Sequence, residues 1–122
     1  MMMLVIKHYK STLMNWKRLT SLSQIEHIKE ESHSQPILIF KHSTRCSTSA
    51  MVLSRMERNW NDHPTKAYFL DLISYREISN LIANEFQVEH ESPQVLLIKG
   101  GRSVYDASHM AISVDEIIKH AE

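Results

Sequence analysis

The sequence predicts an α/β fold with a central mixed sheet of about four strands and helices on both faces. Ile37–Phe40 is a continuous apolar run with β-branched residues, which is typical of a strand buried on both faces in a parallel sheet. Helix-like and strand-like segments alternate along the chain. Gly100-Gly101 links two further strand-like runs, and because both glycines accept the positive φ of a type I′ turn, the end of the sheet is predicted to be antiparallel.

Composition limits the chain to a few protein classes. Its 122 residues are expected to form one domain. The 14 basic and 14 acidic side chains give a formal net charge of zero, so we expect neither nucleic acid nor a membrane surface as a partner. A single cysteine excludes a disulfide framework within the chain, and without paired Cys-x-x-Cys units or closely spaced histidines no metal site is predicted.

The amino-terminal residues 1–15 are expected to be a poorly ordered extension, and residues 16–122 the folded domain. The first 13 residues show neither a clear period nor a helix cap. The apolar start, Met1–Ile6, is shorter than the core of a signal peptide, and no later stretch approaches the length of a membrane span. A cytoplasmic location is therefore predicted, which also suits a chain with one cysteine.

The folded region begins with a helix followed by a strand. Ser21–Gln24 resembles a capping box, and apolar residues recur at helical spacing from Leu22 to Ile28, which predicts a helix ending near Ser32. Ser34-Gln35-Pro36 breaks this helix, and the central strand follows it.

Two helices flank the next strand. Apolar side chains recur every three or four residues between Ser47 and Asn61, and Asp62-His63-Pro64 stops this helix. Lys66–Ile73 is predicted to be a strand, and Arg76–Phe86 a helix. The apolar positions of the first of these helices are Ala50, Leu53, Met56 and Trp60.

The last elements are the hairpin and one more helix. Val95–Lys99 and Arg102–Tyr105 are the predicted hairpin strands, and Val114–His120 is a final amphipathic helix. The chain shows no internal repeat, no low-complexity segment and no interdomain linker.

Cys46 is the main candidate for chemistry because it is the only cysteine and lies between the central strand and the helix that begins near Ser47. Right-handed crossover of the parallel strands would place it at the carboxyl end of the sheet, where open α/β folds have their sites. Helix N-termini favour a thiolate, and such settings lower cysteine pKa values from ~8.5 to roughly 3.5–7.5. With no second cysteine, redox chemistry must pass through a mixed disulfide with another molecule. The alternative is an inert, buried cysteine.

Several neighbours are candidates for stabilising this thiolate. Arg45 adds positive charge beside the sulfur, and His42 lies close enough in sequence to contribute, whereas Lys41 is expected to be a solvated loop charge. Ser49, one helical turn after the cysteine, can donate its O–H to the sulfur, and Thr44 is a candidate N-cap. For both hydroxyls, capping alone is the alternative role.

The order of the elements resembles the thioredoxin-like fold. In that fold the position of Ser92-Pro93, immediately before a strand, holds a cis-proline that faces the active cysteine. The backbone of the residue before this proline can pair with an incoming extended thiol compound. The resemblance therefore implies that Pro93 is cis and that Ser92 and Pro93 bind substrate. A trans proline that starts an edge strand is the alternative.

Two segments resemble the signature segments of the monothiol bacilliredoxins. The first is Phe40–Cys46 together with Ser49-Ala50, and the second is His90–Gln94. The similarity covers about residues 16–121. The two segments at this separation are more specific than a Cys-x-x-Ser spacing by itself.

The active segment agrees with this family in part. It usually reads Thr-Cys-Pro-Ile-Ser there, so Cys46 and Ser49 match, whereas Arg45, Ser47 and Thr48 differ from the common residues. The agreement thus lies at the reactive thiol and at the hydroxyl one turn later.

The resemblance implies a monothiol thiol–disulfide oxidoreductase that uses Cys46 to remove bacillithiol, a low-molecular-weight thiol, from protein mixed disulfides. Its partners would be S-bacillithiolated proteins and the small thiol, with bacillithiol as co-substrate and no bound cofactor. Bacillithiol carries carboxylates, a sugar and an amine, so basic and hydroxyl groups near the sulfur would help to hold it. The candidates are Arg45, His42, and Ser108 and His109 in the loop expected after the hairpin.

Two other functions are open on sequence grounds. A single thiol can share an iron–sulfur cluster between two chains, as in monothiol glutaredoxins, although those relatives carry Cys-Gly-Phe-Ser and this chain has Ser47-Thr48 after the cysteine. A non-catalytic thioredoxin-like adaptor would instead bind extended peptides in the groove at Pro93. Absorbance of anaerobically purified protein would reveal a cluster, and poor thiol labelling at neutral pH would favour the adaptor.

Overall fold

The computed structural model describes residues 14–122. The predicted poorly ordered extension, residues 1–15, therefore lies outside the described residues except for its last two. Met14 is 7% exposed and belongs to the core, which shows that packing includes residues before Trp16. The strands are β1 (Lys17–Arg18), β2 (Ile37–His42), β3 (Lys66–Asp71), β4 (Gln94–Lys99) and β5 (Arg102–Ser108), and the helices are α1 (Ser23–Glu31), α2 (Ser47–Asn59), α3 (Arg76–Phe86) and α4 (Val114–Ala121), with a short 3₁₀ helix at His109–Ala111.

The strands form one mixed sheet in the order β1-β3-β2-β4-β5. β1 and β2 both pair with β3 in parallel, whereas β4 is antiparallel to β2 and to β5. This confirms the predicted mixed sheet with an antiparallel end. The sheet has five strands rather than about four because β1 contains only two residues, both exposed, and so has no detectable period.

The central pairing fixes the edge of the sheet at which the candidate residues meet. β2 runs antiparallel to β4, and its last pair is Lys41 with Gln94. The carboxyl end of β2 therefore lies beside the amino end of β4. Cys46 follows the first of these ends and Pro93 precedes the second, so the pairing brings both to the same edge of the sheet.

Helices cover both faces of the sheet, as predicted. On one face α2 and α4 pack over Leu38 and Phe40 of β2, and on the other α1 and α3 pack over Ile37 and Ile39. Both faces of β2 are thus covered, and all six of its residues are buried. This explains why the strand reads as a continuous apolar run rather than as an alternation.

The hairpin between β4 and β5 has the predicted turn. Gly100 and Gly101 have φ values of 61° and 79°, and a type I′ turn requires positive φ at both positions. The turn also contacts the end of α1: the Gly100 N–H donates to the carbonyl of Ser32 at 2.9 Å, and the Gly101 N–H donates to the Ser32 hydroxyl at 2.8 Å. A buried serine that ends one helix therefore holds the turn.

The inward face of α2 differs from the prediction. The buried residues are Ser49, Val52 and Met56, whereas Ala50 is exposed and Leu53 is only partly buried. The apolar pattern misled here because a serine occupies an inward position.

The predicted capping box of α1 is half formed. The Gln24 side chain accepts from the N–H groups of Thr20 and Ser21, but the N-cap residue is Leu22 and makes no side-chain capping bond.

None of the helices in residues 14–122 has both the length and the apolar character needed to cross a membrane.

Candidate active site

Cys46 occupies the N-cap position of α2. Its backbone is extended, with φ −113° and ψ 118°, its N–H donates to the Ser43 carbonyl at 3.2 Å, and its own carbonyl accepts the N–H of Ala50 at 3.2 Å. The residue is partly exposed and its thiol is free. Thr44, the expected N-cap, is exposed in the preceding turn instead, because the chain turns between Ser43 and Cys46 before the helix begins. The thiol thus lies at the start of the helix within reach of solvent.

Ser92-Pro93 is a cis peptide bond, as the resemblance implied. In the β2–β4 register, the position after the pair Lys41–Gln94 places Pro93 opposite His42, four residues before Cys46. Ser92 makes no main-chain hydrogen bond to another part of residues 14–122. Its side-chain oxygen is buried and also has no partner within these residues.

Ser49 faces inward and is fully buried. Its Oγ accepts the Ser43 N–H at 3.1 Å and lies 2.7 Å from Nδ1 of His42. When Nδ1 carries no proton, the Ser49 hydroxyl donates to it. No hydrogen bond from Ser49 to the cysteine sulfur is present in the described part of the chain, so the expected donation to a thiolate stays a prediction that requires His42 to release this hydroxyl.

His42 is a buried hydrogen-bonding residue rather than an exposed positive charge. It is 7% exposed and lies against Phe40 and Phe69. Burial lowers the pKa of His42 below its ordinary value, against the raising effect of the nearby Asp71 carboxylate. The ring is therefore neutral at neutral pH. Arg45 is exposed beside the cysteine and is the positive side chain nearest to it in sequence.

Lys41 is fully buried, so the expectation of a solvated loop charge was wrong. The strand extends through this residue, and Lys41 lies on the same face as Ile37 and Ile39. Its Nζ donates to Oε1 of Gln94 at 2.9 Å and to Nδ1 of His90 at 2.6 Å. Burial lowers the pKa of Lys41 to about 8, although the carboxylate of Glu91 opposes this shift.

Gln94 connects this lysine to the loop before β4. Its Nε2 donates to the carbonyl of Glu89 at 2.9 Å and to the hydroxyl of Ser108 at 3.5 Å, and its Oε1 also accepts the Glu91 N–H at 3.4 Å. Lys41 and Gln94 were missed as site residues. The alternation of side chains between the two faces of a strand was a usable signal. It places Lys41 of β2 and Gln94 of β4 on the same apolar face of the sheet, at the end where the two strands pair.

The end of β5 lies beside the cis-proline, where Ser108 and His109 were expected. The His109 N–H donates to the Pro93 carbonyl at 2.9 Å, and Nε2 of His109 lies 3.3 Å from a carboxylate oxygen of Glu91. His109 has a φ of 55° and Ser108 is the last residue of β5. The structure therefore brings Ser92, Pro93, Ser108 and His109 together.

The described residues contain no group of three or more His, Cys, Asp or Glu side chains that is arranged to hold a metal ion. What the site offers is one partly exposed thiol at a helix N-terminus, a cis-proline at the same edge of the sheet, and polar side chains around them.

A family model described as monothiol bacilliredoxin BrxC matches residues 17–117. The chain belongs to this family. The match includes the helix N-terminus with its cysteine and the cis-proline loop, and it confirms the resemblance seen in the sequence. The BrxC family and its fold give this chain a role in thiol redox chemistry.

Solved structures confirm the thioredoxin fold. A protein described as a candidate oxidoreductase with a thioredoxin fold is 28% identical, with a TM-score of 0.76, and the match covers 86% of this chain and 92% of that one. Thioredoxin of Fasciola hepatica is 18% identical, with a TM-score of 0.68 and coverage of 87% and 99%. Thioredoxin of Malassezia sympodialis is 16% identical, with a TM-score of 0.67 and coverage of 88% and 92%. At such low identity the two thioredoxins support the fold of this BrxC-family chain and not its substrate.

Proposed function

We propose that the protein is a monothiol thiol–disulfide oxidoreductase that removes bacillithiol from protein mixed disulfides through Cys46. The observation that carries the proposal is the placement of the only cysteine, partly exposed at the N-cap of α2, at the same edge of the sheet as cis-Pro93. Membership of the bacilliredoxin family supports bacillithiol as the small thiol. The reaction requires a compartment that holds this thiol and keeps cysteines reduced, which for this proposal is the cytoplasm.

The first step is attack of the Cys46 thiolate on the bacillithiol sulfur of the mixed disulfide. A new S–S bond forms between Cys46 and bacillithiol while the old S–S bond breaks, and the target protein leaves as a thiolate that takes up a proton. Cys46 lies at the N-terminus of α2, and helix N-termini favour a negatively charged sulfur before attack. We assign supporting roles in this step to Thr44, Arg45 and Ser49, and to His42 through its bond to Ser49.

The second step needs an external thiol. The chain has no other cysteine, so a second thiolate must attack the modified Cys46 and leave with the bacillithiol in a new disulfide. One S–S bond again forms as one breaks. The protein is thereby returned to its free thiol without an internal resolving step.

The loop before β4 and the end of β5 are the surfaces on which the substrate would lie. Ser92 has main-chain groups with no partner in residues 14–122, and it precedes the cis-proline. An extended substrate can pair with these groups, as a strand adds to a free edge. Arg45 would attract the carboxylates of bacillithiol, and Ser108 and His109 would line the far side.

Replacement of Cys46 by serine tests the proposal. We expect Cys46→Ser to abolish release of bacillithiol from an S-bacillithiolated protein, because the serine hydroxyl is not a comparable nucleophile at neutral pH. Mass spectrometry of the modified protein measures this release. Serine is a favourable N-cap residue, so the circular dichroism spectrum should not change. Mass spectrometry of the wild-type protein after exposure to bacillithiol disulfide should show the adduct on Cys46, with glutathione disulfide as the comparison.

Three results would contradict the proposal. Retained release by the Cys46→Ser variant would exclude Cys46 as the nucleophile. An iron–sulfur absorbance in anaerobically purified protein would favour a cluster carrier. A thiol that stays unlabelled by bacillithiol disulfide at neutral pH would favour a peptide-binding adaptor.

A further inference from the structure

We infer that Glu91 determines specificity for the small thiol by binding the free ammonium group of its cysteinyl part. This inference rests on the proposed function and narrows its substrate class. The site would select thiols with a free amine two carbons from the sulfur over thiols in which that nitrogen is acylated. Bacillithiol belongs to the first class and glutathione to the second.

The carboxylate of Glu91 lies at the open rim of the site. Glu91 immediately precedes the cis peptide bond Ser92-Pro93, and one carboxylate oxygen is 3.3 Å from Nε2 of His109. The side chains of Glu91 and His109 are 44% and 52% exposed. The His109 N–H also donates to the Pro93 carbonyl at 2.9 Å, so two contacts of His109 connect the proline loop to the end of β5. The β2–β4 pairing places this loop and the cysteine loop at the same edge of the sheet.

Hydrogen bonds from buried side chains hold the backbone of Glu91 in place. Its N–H donates to Oε1 of Gln94 at 3.4 Å, and the same oxygen accepts from the buried Nζ of Lys41 at 2.9 Å. The preceding residue, His90, is bonded to that lysine as well. Binding groups that are fixed by a supporting layer of hydrogen bonds act with less loss of entropy.

The charges around Glu91 leave it available to a cation. Lys41 directs its hydrogen bonds to Gln94 and His90 and makes none to Glu91. No basic side chain of residues 14–122 other than His109 contacts the Glu91 carboxylate, and the second carboxylate oxygen has no hydrogen-bond partner there. The carboxylate can therefore accept an ammonium N–H without breaking a buried bond.

The arrangement of opposite charges fits a thiol that carries both signs. Arg45 is exposed beside Cys46, where it would meet carboxylates, and Glu91 lies on the proline side of the site. An acylated nitrogen is neutral and gains nothing from Glu91. A thiol without the amine would instead leave the carboxylate to His109 alone.

The test compares bacillithiol with N-acetylbacillithiol, each as a mixed disulfide on the same single-cysteine protein, at pH 7 and low salt. We expect wild-type protein to release the free-amine thiol with a kcat/KM about fivefold higher, which corresponds to one favourable exposed ion pair. Glu91→Gln keeps the shape of the side chain and should bring the ratio close to one by slowing release of bacillithiol only. Unchanged release of the acetylated thiol would show that the variant is folded and active.

Glu89→Gln is the matched control, because Glu89 is an exposed carboxylate in the same loop and only its backbone carbonyl is used, by Gln94. For Glu89→Gln, the ratio of the kcat/KM values for the two thiols should equal that of the wild type. Equal release of both thiols by the wild type, or an unchanged preference in Glu91→Gln, would overturn the inference and leave the proposed function standing. Release of neither thiol by the wild type would overturn both.

Discussion

Polar side chains at buried positions hold the loop that carries Cys46. The Ser49 hydroxyl is fully buried and joins the Ser43 N–H to the ring of His42. Both partners are themselves buried, so water cannot replace the hydroxyl without entering the core. The position one turn after the cysteine therefore has a structural role here, whether or not its O–H also reaches the sulfur.

Ser49→Ala should reduce the free energy of unfolding by about 1–3 kcal/mol, because it leaves a buried N–H and a buried imidazole nitrogen without their partner. Urea denaturation of the purified variant measures this effect. Ser54→Ala, in the exposed part of the same helix, is the control and should change stability by no more than about 0.5 kcal/mol. Equal stability of the two variants would show that the hydrogen bonds of Ser49 contribute nothing.

The β4–β5 hairpin is an element whose geometry follows from two glycines. Its type I′ turn places both in the left-handed region, and the Ser32 carbonyl and hydroxyl accept their N–H groups. The hairpin extends the sheet as far as Ser108, and its far end contacts the cis-proline loop through His109. The turn, together with a register shift of β5 opposite Leu97 and Ile98, sets the pairing of the strand that forms one wall of the site.

Gly100 allows the cost of this backbone conformation to be measured directly. A Cβ at Gly100 would meet no atom within 4 Å, and φ is 61°. Gly100→Ala should therefore lower the free energy of unfolding by about 1–2 kcal/mol from backbone strain alone. Gly100→Asn should cost clearly less because asparagine tolerates this region. Thermal or urea denaturation would compare them, and an alanine variant no less stable than the asparagine variant would contradict the strain argument.

The molecule as a whole places its site where two distant segments of chain meet. Antiparallel pairing of β2 with β4 brings the cysteine loop beside the cis-proline loop, and helices on both faces bury all six residues of β2. The same burial encloses Lys41, whose ammonium group donates hydrogen bonds to His90 and Gln94 and is also stabilised by the Glu91 carboxylate. Burial of the charged Lys41 ammonium group therefore lowers the stability of the folded state.

Lys41→Met should remove a pH-dependent part of the overall stability. The pKa of Lys41 is about 8 in the folded protein against 10.5 in the unfolded chain. Between these values the unfolded state holds a proton that the folded state has lost, so this lysine makes stability rise with pH. A pKa of about 8 instead of 10.5 corresponds to about 3 kcal/mol. Relative to the wild type, the methionine variant should lose about that much stability between pH 8 and pH 10.5.

Urea denaturation across this pH range would test the linkage. The exposed Lys119 provides the control, because Lys119→Met should shift stability by the same small amount at every pH. Lys41→Met also removes hydrogen bonds, and their loss lowers the stability of the variant by an amount largely independent of pH. Only the slope of the free energy of unfolding against pH therefore decides the test. A difference between Lys41→Met and wild type that stays constant from pH 8 to pH 10.5 would show that the buried amine titrates normally.

The sequence by itself determined the fold class, the bounds of α3, the type I′ turn and the candidate thiol, because these depend on local patterns. Arg76–Phe86 has a strong helical period, Gly100-Gly101 has few alternatives to a tight turn, and Cys46 is the only cysteine. The cis form of Pro93 was accessible through family resemblance alone, since most X-Pro bonds are trans.

Only the tertiary structure decided which polar side chains are buried and what they bind. Lys41, Ser49 and Gln94 look like ordinary polar residues in the sequence, and their partners lie on other strands and loops. β1 was invisible for the same reason, because its two exposed residues become a strand only through pairing with β3. Local propensity follows from near neighbours in the chain, whereas burial and hydrogen-bond partners depend on contacts between segments that are far apart in sequence.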